Sequence, residues 1–373
     1  MLDFSLPHEI LVQRFNVVFY WGIFLVMLFT CVYVIAPADE LSDTKQHYHY
    51  RSVGLSLGVI VLLCFLMALY PIQWGTFGDR EGYLYMFNNV AQTSFSDPFW
   101  RFLNVAIRNF TVNQVYFFLV MALLYVGLRY WACYNFNKNY SFLLFAMLIS
   151  SFQFLSYGVN TIRSGVASSF LLMAFSVYSK EKTKEVLTFL LVLASVGIHK
   201  SMALPAFMFL VSVVFPRPKF YLLVWLLSFV LSAIFGGFFE SNLGNLIEQN
   251  VGSQAGEYIL NEGTSGYNRG FRLDFILYSL APILLGAYYI VKKSFQDKLY
   301  ISLYCTYILT NAVFVLVIRA NFVDRFGYLS WLMIPFILLY PLLKVRLFEK
   351  QNNKIALILF LNTVFTMLMY IRG

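Results

Sequence analysis

The chain reads as long, unbroken apolar runs separated by short polar joints, without the strict alternation of exposed strands. About 20 consecutive apolar residues are enough for a helix to cross the hydrocarbon core. In lipid a backbone must satisfy its own polar groups, so only helices and closed barrels span it, and barrel strands would alternate. The pattern therefore predicts twelve transmembrane helices, at 15–37, 54–72, 114–133, 141–158, 161–179, 186–200, 201–215, 220–239, 273–292, 299–318, 326–343 and 355–371. The link between 141–158 and 161–179 is very short, which makes those two antiparallel neighbours. Ile198-His199-Lys200-Ser201, with Pro205 beyond, interrupts 186–215. That region is either two short helices meeting at a turn or one long broken helix. Two joints are long. The first, 73–113, is aromatic and amphipathic, which predicts short helices at the headgroup level. The second, 240–272, carries Gly252, Gly256, Gly263, Gly266 and Gly270 among Asn, Ser and Gln, which predicts a mobile lid. Residues 1–373 are thus expected to form one all-α polytopic membrane domain.

Composition strengthens this reading. Hydrophobic residues make up 60% and charged residues 12%, against about 45–50% and about 25% in soluble domains. With 40 Phe and 26 Tyr, the chain has more apolar surface than one soluble core of this length hides. No secretory signal with a small-residue cleavage site is recognised. Cys31, Cys64, Cys133 and Cys305 lie in or at the ends of apolar runs and read as small hydrophobes, without metal-type spacing or a disulfide framework. The net charge of +9 fits cytoplasmic anchoring charge and implies no nucleic acid.

Charge also orients the spans. Cytoplasmic loops are enriched in Lys and Arg. Taking Lys180-Glu181-Lys182-Thr183-Lys184 as cytoplasmic sets the parity, and every lysine except Lys200 then falls inside. Both termini come out on the outer face. Arg51, Arg129, Arg217 and Arg346 fall inside, whereas Arg80, Arg101, Arg108, Arg163, Arg269, Arg272, Arg319 and Arg325 fall outside. Outer loops normally avoid positive charge, and Arg suits bidentate phosphate contacts. Some of these arginines have loop acids to pair with, Glu81 and Asp324 among them. The set as a whole points to a polyanionic ligand at the outer face.

Four elements on that face carry candidate chemistry. Gly78-Asp79-Arg80-Glu81-Gly82 sits at a membrane boundary with Tyr83 beside it. Asn160-Thr161-Ile162-Arg163-Ser164-Gly165 begins a helix containing Ala167, Ser168 and Ser169, small residues that favour close helix packing. His199-Lys200-Ser201 lies at a helix break, where ionisable groups are costly and mark functional positions. Arg319-Ala320-Asn321-Phe322-Val323-Asp324-Arg325-Phe326 packs two arginines and an aspartate into one short link.

Gly78-Asp79 with Tyr83 and Phe87, Asn160 to Ala167, Ile198 to Ala203, and Arg325-Phe326 with Tyr328 together resemble, in order and spacing, the EpsG-like members of the Wzy polysaccharide polymerases. Ser164 replaces a commoner Gln, and Met202 intervenes before Ala203. The resemblance runs from about the second predicted span to the eleventh. It implies a GT-C-like glycosyltransferase fold in a bacterial inner membrane. It also implies transfer of a growing glycan from one undecaprenyl pyrophosphate to another lipid-linked repeat unit at the outer leaflet, giving O-antigen (lipopolysaccharide), capsule or exopolysaccharide. Against that chemistry, Asp79 or His199 is the expected general base. Arg163, Arg319 and Arg325 are expected on the pyrophosphate with Arg272 closing from the lid, while Arg80, Tyr83 and Asn160 complete the substrate-binding set. No cofactor or metal is expected. The expected partners are undecaprenyl-pyrophosphate-linked oligosaccharides and the bilayer, with room for a chain-length regulator protein and none for nucleic acid. An O-antigen ligase-type transferase shares the fold plan. A lipid-linked oligosaccharide flippase fits less well, because no internal repeat is evident and the spans hold almost no charge.

Overall fold

The computed structural model describes residues 8–35, 45–72, 79–178, 182–251, 270–320 and 322–372. The chain-order helices are α1 (His8–Ile35), α2 (Lys45–Ala68), α3 (Asp79–Asn88), α4 (Pro98–Phe110), α5 (Gln114–Phe136), α6 (Ser141–Ile149), α7 (Phe154–Val159), α8 (Ile162–Val177) and α9 (Lys182–Ile198). A 3₁₀ turn at Lys200–Met202 leads to α10 (Ala203–Val214), α11 (Pro218–Val251), α12 (Leu273–Val291), α13 (Lys298–Leu316), α14 (Val323–Trp331), α15 (Ile334–Lys344) and α16 (Gln351–Arg372). Among the described residues there is no strand.

Among the described residues seven helices are long and apolar enough to cross a bilayer: Glu9–Ile35, Gln114–Phe136, Pro218–Phe235, Leu273–Val291, Lys298–Leu316, Val323–Lys344 and Gln351–Arg372. Shorter apolar helices lie at Val53–Ala68, Ile162–Val177 and Lys200–Val214. The structure thus supports an all-helical chain with several membrane-spanning helices, without reaching twelve full-length spans among the described residues. The apolar run 141–158 breaks into α6 and α7, and 186–215 resolves into α9 and α10 meeting at the 3₁₀ turn. Hydropathy counts apolar residues but does not see where helical hydrogen bonding lapses. The segment 240–251 is also helical, as the end of α11, with non-helical angles at Phe235 inside it. Gly78, Arg269, Asn321, and residues 252–269 of the lid expected over 240–272 lie outside the described residues.

Outward faces carry Phe29, Val32, Phe189, Phe207, Leu210, Leu277 and Leu284, each more than half exposed. A water-facing helix would place charge there; these surfaces are suited to lipid.

The chain divides into two compact units, Met1–Met202 with Leu342–Gly373, and Ala203–Pro341. In the first, α8 packs on α5 and α9, α2 on α5 and α6, α1 on α16, α4 on α9, and α3 on α4. Gly165 permits the closest approach: a Cβ there would sit 2.2 Å from the Tyr157 carbonyl oxygen on α7. The α6–α7 break frees backbone groups in an apolar interior, and α16 meets them. Asn362 Nδ2 donates to the Ser150 carbonyl at 3.2 Å and Thr366 Oγ1 donates to it at 2.7 Å. Irregular backbone at membrane depth persists only with such partners.

In the second unit α13 is the hub, contacted by α10, α11, α12 and α14. Its Asn311 gathers a buried polar node. Asn311 Oδ1 accepts from Trp225 Nε1 at 2.8 Å, and Nδ2 donates to Ser279 Oγ and Ser330 Oγ at 3.0 Å each. Trp331 Nε1 also donates to Ser279 Oγ at 2.8 Å. With no hydrophobic drive between helices in lipid, such satisfied hydrogen bonds specify which faces meet.

Candidate functional site

Arg163 lies in the first turn of α8, where the preceding chain turns sharply out of α7. Its Nη1 meets Asp97 Oδ2 at 2.8 Å; the Asp97 side chain is 3% exposed and that of Arg163 26%. Asp97 is the N-cap of α4, followed by Pro98 in the first turn, yet its carboxylate caps no backbone N–H. It accepts instead from Arg163 and from Ser96 Oγ at 3.0 Å. The positive end of α4 favours the carboxylate charge at that position. Asp97 Oδ1 and Arg163 Nε are buried without a hydrogen-bond partner. Buried polar atoms are nearly always satisfied, so these two leave capacity for a further ligand or water.

Phe99, two residues on, touches the end of α9: a Cβ on Gly197 would lie 2.1 Å from the Phe99 ring. His199 follows α9 directly, its N–H donating to the Ser195 carbonyl at 3.0 Å. The His199 ring is half-buried. The 3₁₀ turn beside it packs on α8 as well as α9. The starts of α4 and α8 and the end of α9 thus converge, and they bring Asp97, Arg163 and His199 to one corner of the first unit.

Tyr83 is buried against Trp100 of α4, ring centroids 5.4 Å apart. This contact seats α3, with Asp79 in its first turn, beside the helix that Asp97 begins. Arg80 is also buried. Its Nη2 donates to the carbonyls of Met67 and Ala68 at 3.0 and 3.1 Å, and its guanidinium lies 3.6 Å from the Phe118 ring centroid. A cation on the last carbonyls of α2 complements the negative helix end. Burial lowers the Arg80 pKa to about 9, with Tyr70 pulling slightly upward, so the guanidinium remains charged at neutral pH. Arg80 Nε and Nη1 have no hydrogen-bond partner. Asn160 is exposed at the α7–α8 corner.

The second unit holds the candidate arginines Arg272, Arg319 and Arg325. Arg272 forms a two-pronged ion pair with Asp274 at 2.8 and 3.0 Å and stacks over Phe275 at 3.8 Å. Arg319 donates to the Ser232 carbonyl and lies 5.0 Å from the Phe271 ring centroid, so Phe271 links it to Arg272's segment. Arg325 stacks over Phe322 at 4.9 Å. Phe322 has φ 50°, in the left-handed region, at the entry to α14. A bulky residue in that region is costly, and such strain collects at functional turns.

Sequence reasoning missed two residues. Asp97 was visible only as an aspartate before a helix-starting proline, a pattern that normally means capping; its partner is 66 positions away. Arg129, counted with the cytoplasmic arginines, lies within α5 and is 1% exposed. It donates to Ser169 Oγ and Ser168 Oγ at 3.1 and 2.7 Å and lies over Tyr125 at 4.5 Å. Among the described residues no group of three His, Cys, Asp or Glu comes together.

Apolar helices long enough to cross a bilayer, with ion-paired arginines at the starts of α8 and α12, define a polytopic helical membrane protein. The EpsG family model matches residues 56–372, and the chain belongs to that family, whose members are Wzy-type polysaccharide polymerases. No curated protein and no solved structure matches.

Proposed function

We propose that this protein joins undecaprenyl-pyrophosphate-linked oligosaccharide repeat units by glycosyl transfer at the outer face of a bacterial inner membrane. Family membership supports a glycosyltransferase-type polymerase. The observation that carries the reading further is the Asp97–Arg163 pair. A buried carboxylate holds an arginine at a helix start, and each partner retains an unsatisfied atom.

In the reaction the acceptor hydroxyl oxygen attacks the donor's anomeric carbon as the bond to the pyrophosphate oxygen breaks. The hydroxyl proton passes to a general base, and the lipid pyrophosphate leaves. Preorganised donors aimed at the charge developing on the leaving group supply the largest catalytic effect. Arg163 in the first unit is assigned to the pyrophosphate, and Arg319, Arg325 and Arg272 in the second unit are retained as candidates for the same anionic group. Asp79 or His199 is assigned as base, and Arg80, Tyr83 and Asn160 to the glycan side. No metal is invoked, since arginines can carry that charge.

The test is elongation by the purified full chain in lipid nanodiscs, given lipid-linked repeat units and no energy source. Products lengthening by whole repeats are expected. Arg163→Gln is expected to reduce the rate by about 10²–10³-fold, the range for losing one charge-stabilising donor. Translocation without elongation would instead establish a transporter, and wild-type elongation by Arg163→Gln would remove that residue from the site.

A further inference from the structure

In the second unit, the end that holds the α10–α11 turn and the α12–α13 link is strongly basic. Arg217 and Lys219 flank the start of α11, and Lys292, Lys293 and Lys298 lie where α12 gives way to α13. The acid in these links, Asp297, accepts the Tyr300 N–H at 2.8 Å as the N-cap of α13. The candidate arginines Arg272, Arg319 and Arg325 are at the opposite helix ends, at the start of α12, the end of α13 and the start of α14.

Between these basic turns is a cavity of about 450 Å³. Its mouth carries Arg217 and Lys219, both exposed, and its walls are apolar, including Phe220, Leu222, Ile290 and Ile301. Pro216 and Pro218 fix the chain as it enters α11, and the Tyr221 hydroxyl donates to the Phe215 carbonyl at 2.7 Å, closing the turn. The mouth is therefore held by a rigid connection. A greasy cleft with a doubly cationic rim, at helix ends within an apolar surround, matches an acyl chain joined to a phosphate. It does not match a soluble anion, which would meet apolar walls, nor an uncharged lipid, which would leave the cations without a counter-charge.

We infer that this cleft binds an anionic phospholipid, its phosphate against Arg217 and Lys219 and an acyl chain along α11 and α12. Lysine-rich helix ends mark the cytoplasmic side. The cytoplasmic leaflet carries anionic lipid, and basic pockets between membrane helices on that side take phospholipid head groups. The bound lipid pins the α10–α11 turn to the α12–α13 link from outside the helix bundle.

The test uses the purified full chain in a neutral detergent, with retained lipid counted by native mass spectrometry and thermal stability followed in parallel. The probes are phosphatidylglycerol, phosphatidylcholine of the same acyl composition, and inorganic phosphate. Phosphatidylglycerol is expected to bind and stabilise, and the other two not. Each basic residue near the surface contributes about fivefold in affinity, so the double substitution Arg217→Ala, Lys219→Ala is expected to weaken phosphatidylglycerol binding about thirtyfold. The charge-preserving double substitution Arg217→Lys, Lys219→Arg is expected to retain it, which separates lost charge from lost folding. Equal binding of phosphatidylcholine would overturn the charge assignment. Stabilisation by phosphate alone would overturn the lipid. Undiminished phosphatidylglycerol binding by the alanine variant would place the lipid elsewhere. None of these outcomes depends on polymerase activity.

Discussion

Asp97→Asn isolates the ion pair on which the proposed site depends. The substitution keeps the shape and the donor–acceptor contact but removes the charge. In the native protein the carboxylate is 3% exposed and the guanidinium 26%, with 2.8 Å between them. Breaking a fully buried pair by removing one charge costs about 3–5 kcal/mol, and an exposed pair is worth about 0–1 kcal/mol. With one partner buried and the other a quarter open, and an asparagine oxygen still able to accept, about 2 kcal/mol is expected. Thermal unfolding in detergent measures that loss. The catalytic effect is expected to be larger. An arginine freed by even ~1 Å from its productive position costs a transfer step about 10²-fold. Elongation of lipid-linked repeats reads this directly, with protein amount normalised. The decisive comparison is a double-mutant cycle of Asp97→Asn with Arg163→Gln. If the carboxylate acts by holding the arginine, the second substitution adds little to the first, leaving a coupling on the order of 1–3 kcal/mol. Strict additivity, or Asp97→Asn elongating at the native rate, would refute the idea that Asp97 positions Arg163.

Further expectations follow from packing and charge. Gly165→Val drives side-chain atoms into the Tyr157 carbonyl, 2.2 Å from the first carbon, and overpacking of about 1–3 kcal/mol or more is expected as lost folded protein on size exclusion. Gly197→Ala meets the Phe99 ring at 2.1 Å; the ring can yield, so expression is expected to persist while elongation falls as α4 shifts at the site. Asn362→Leu leaves Ser150 O with one donor, Thr366, at the α6–α7 break, and a loss of about 1–2 kcal/mol is expected in thermal unfolding. Asp274→Asn releases Arg272 from its two-pronged partner; a changed distribution of polymer lengths on a gel is expected at unchanged protein level, and an unaltered ladder would count against a role for Arg272.

Much of the architecture was legible in the run lengths alone. Long apolar segments demand helices in lipid because no water remains to satisfy the backbone, and the order of the Asp79, Asn160, His199 and Arg325 elements carried the family resemblance. The breaks inside the apolar runs were not legible. Hydropathy treats 141–158 as continuous, while the helix lapses at Ser150, where Asn362 and Thr366 from the far end of the chain donate to the freed carbonyl. The helical extension of α11 to Val251 was equally hidden, because Asn, Gly and Ser composition reads as loop until the preceding helix continues through it.

By itself, then, the sequence determined that this protein is an all-helical membrane polymerase of the EpsG type. Only the tertiary structure decided which of those charges meet. Asp97 reads locally as a helix cap, and Arg163 as a helix-end charge suited to snorkelling. Their pairing exists because α4 packs on α9, and α9 on α8, which carries two helix starts 66 positions apart into hydrogen-bond distance. Spacing along a chain records periodicity within one helix; contact between helices depends on how their faces pack, and no local pattern encodes it.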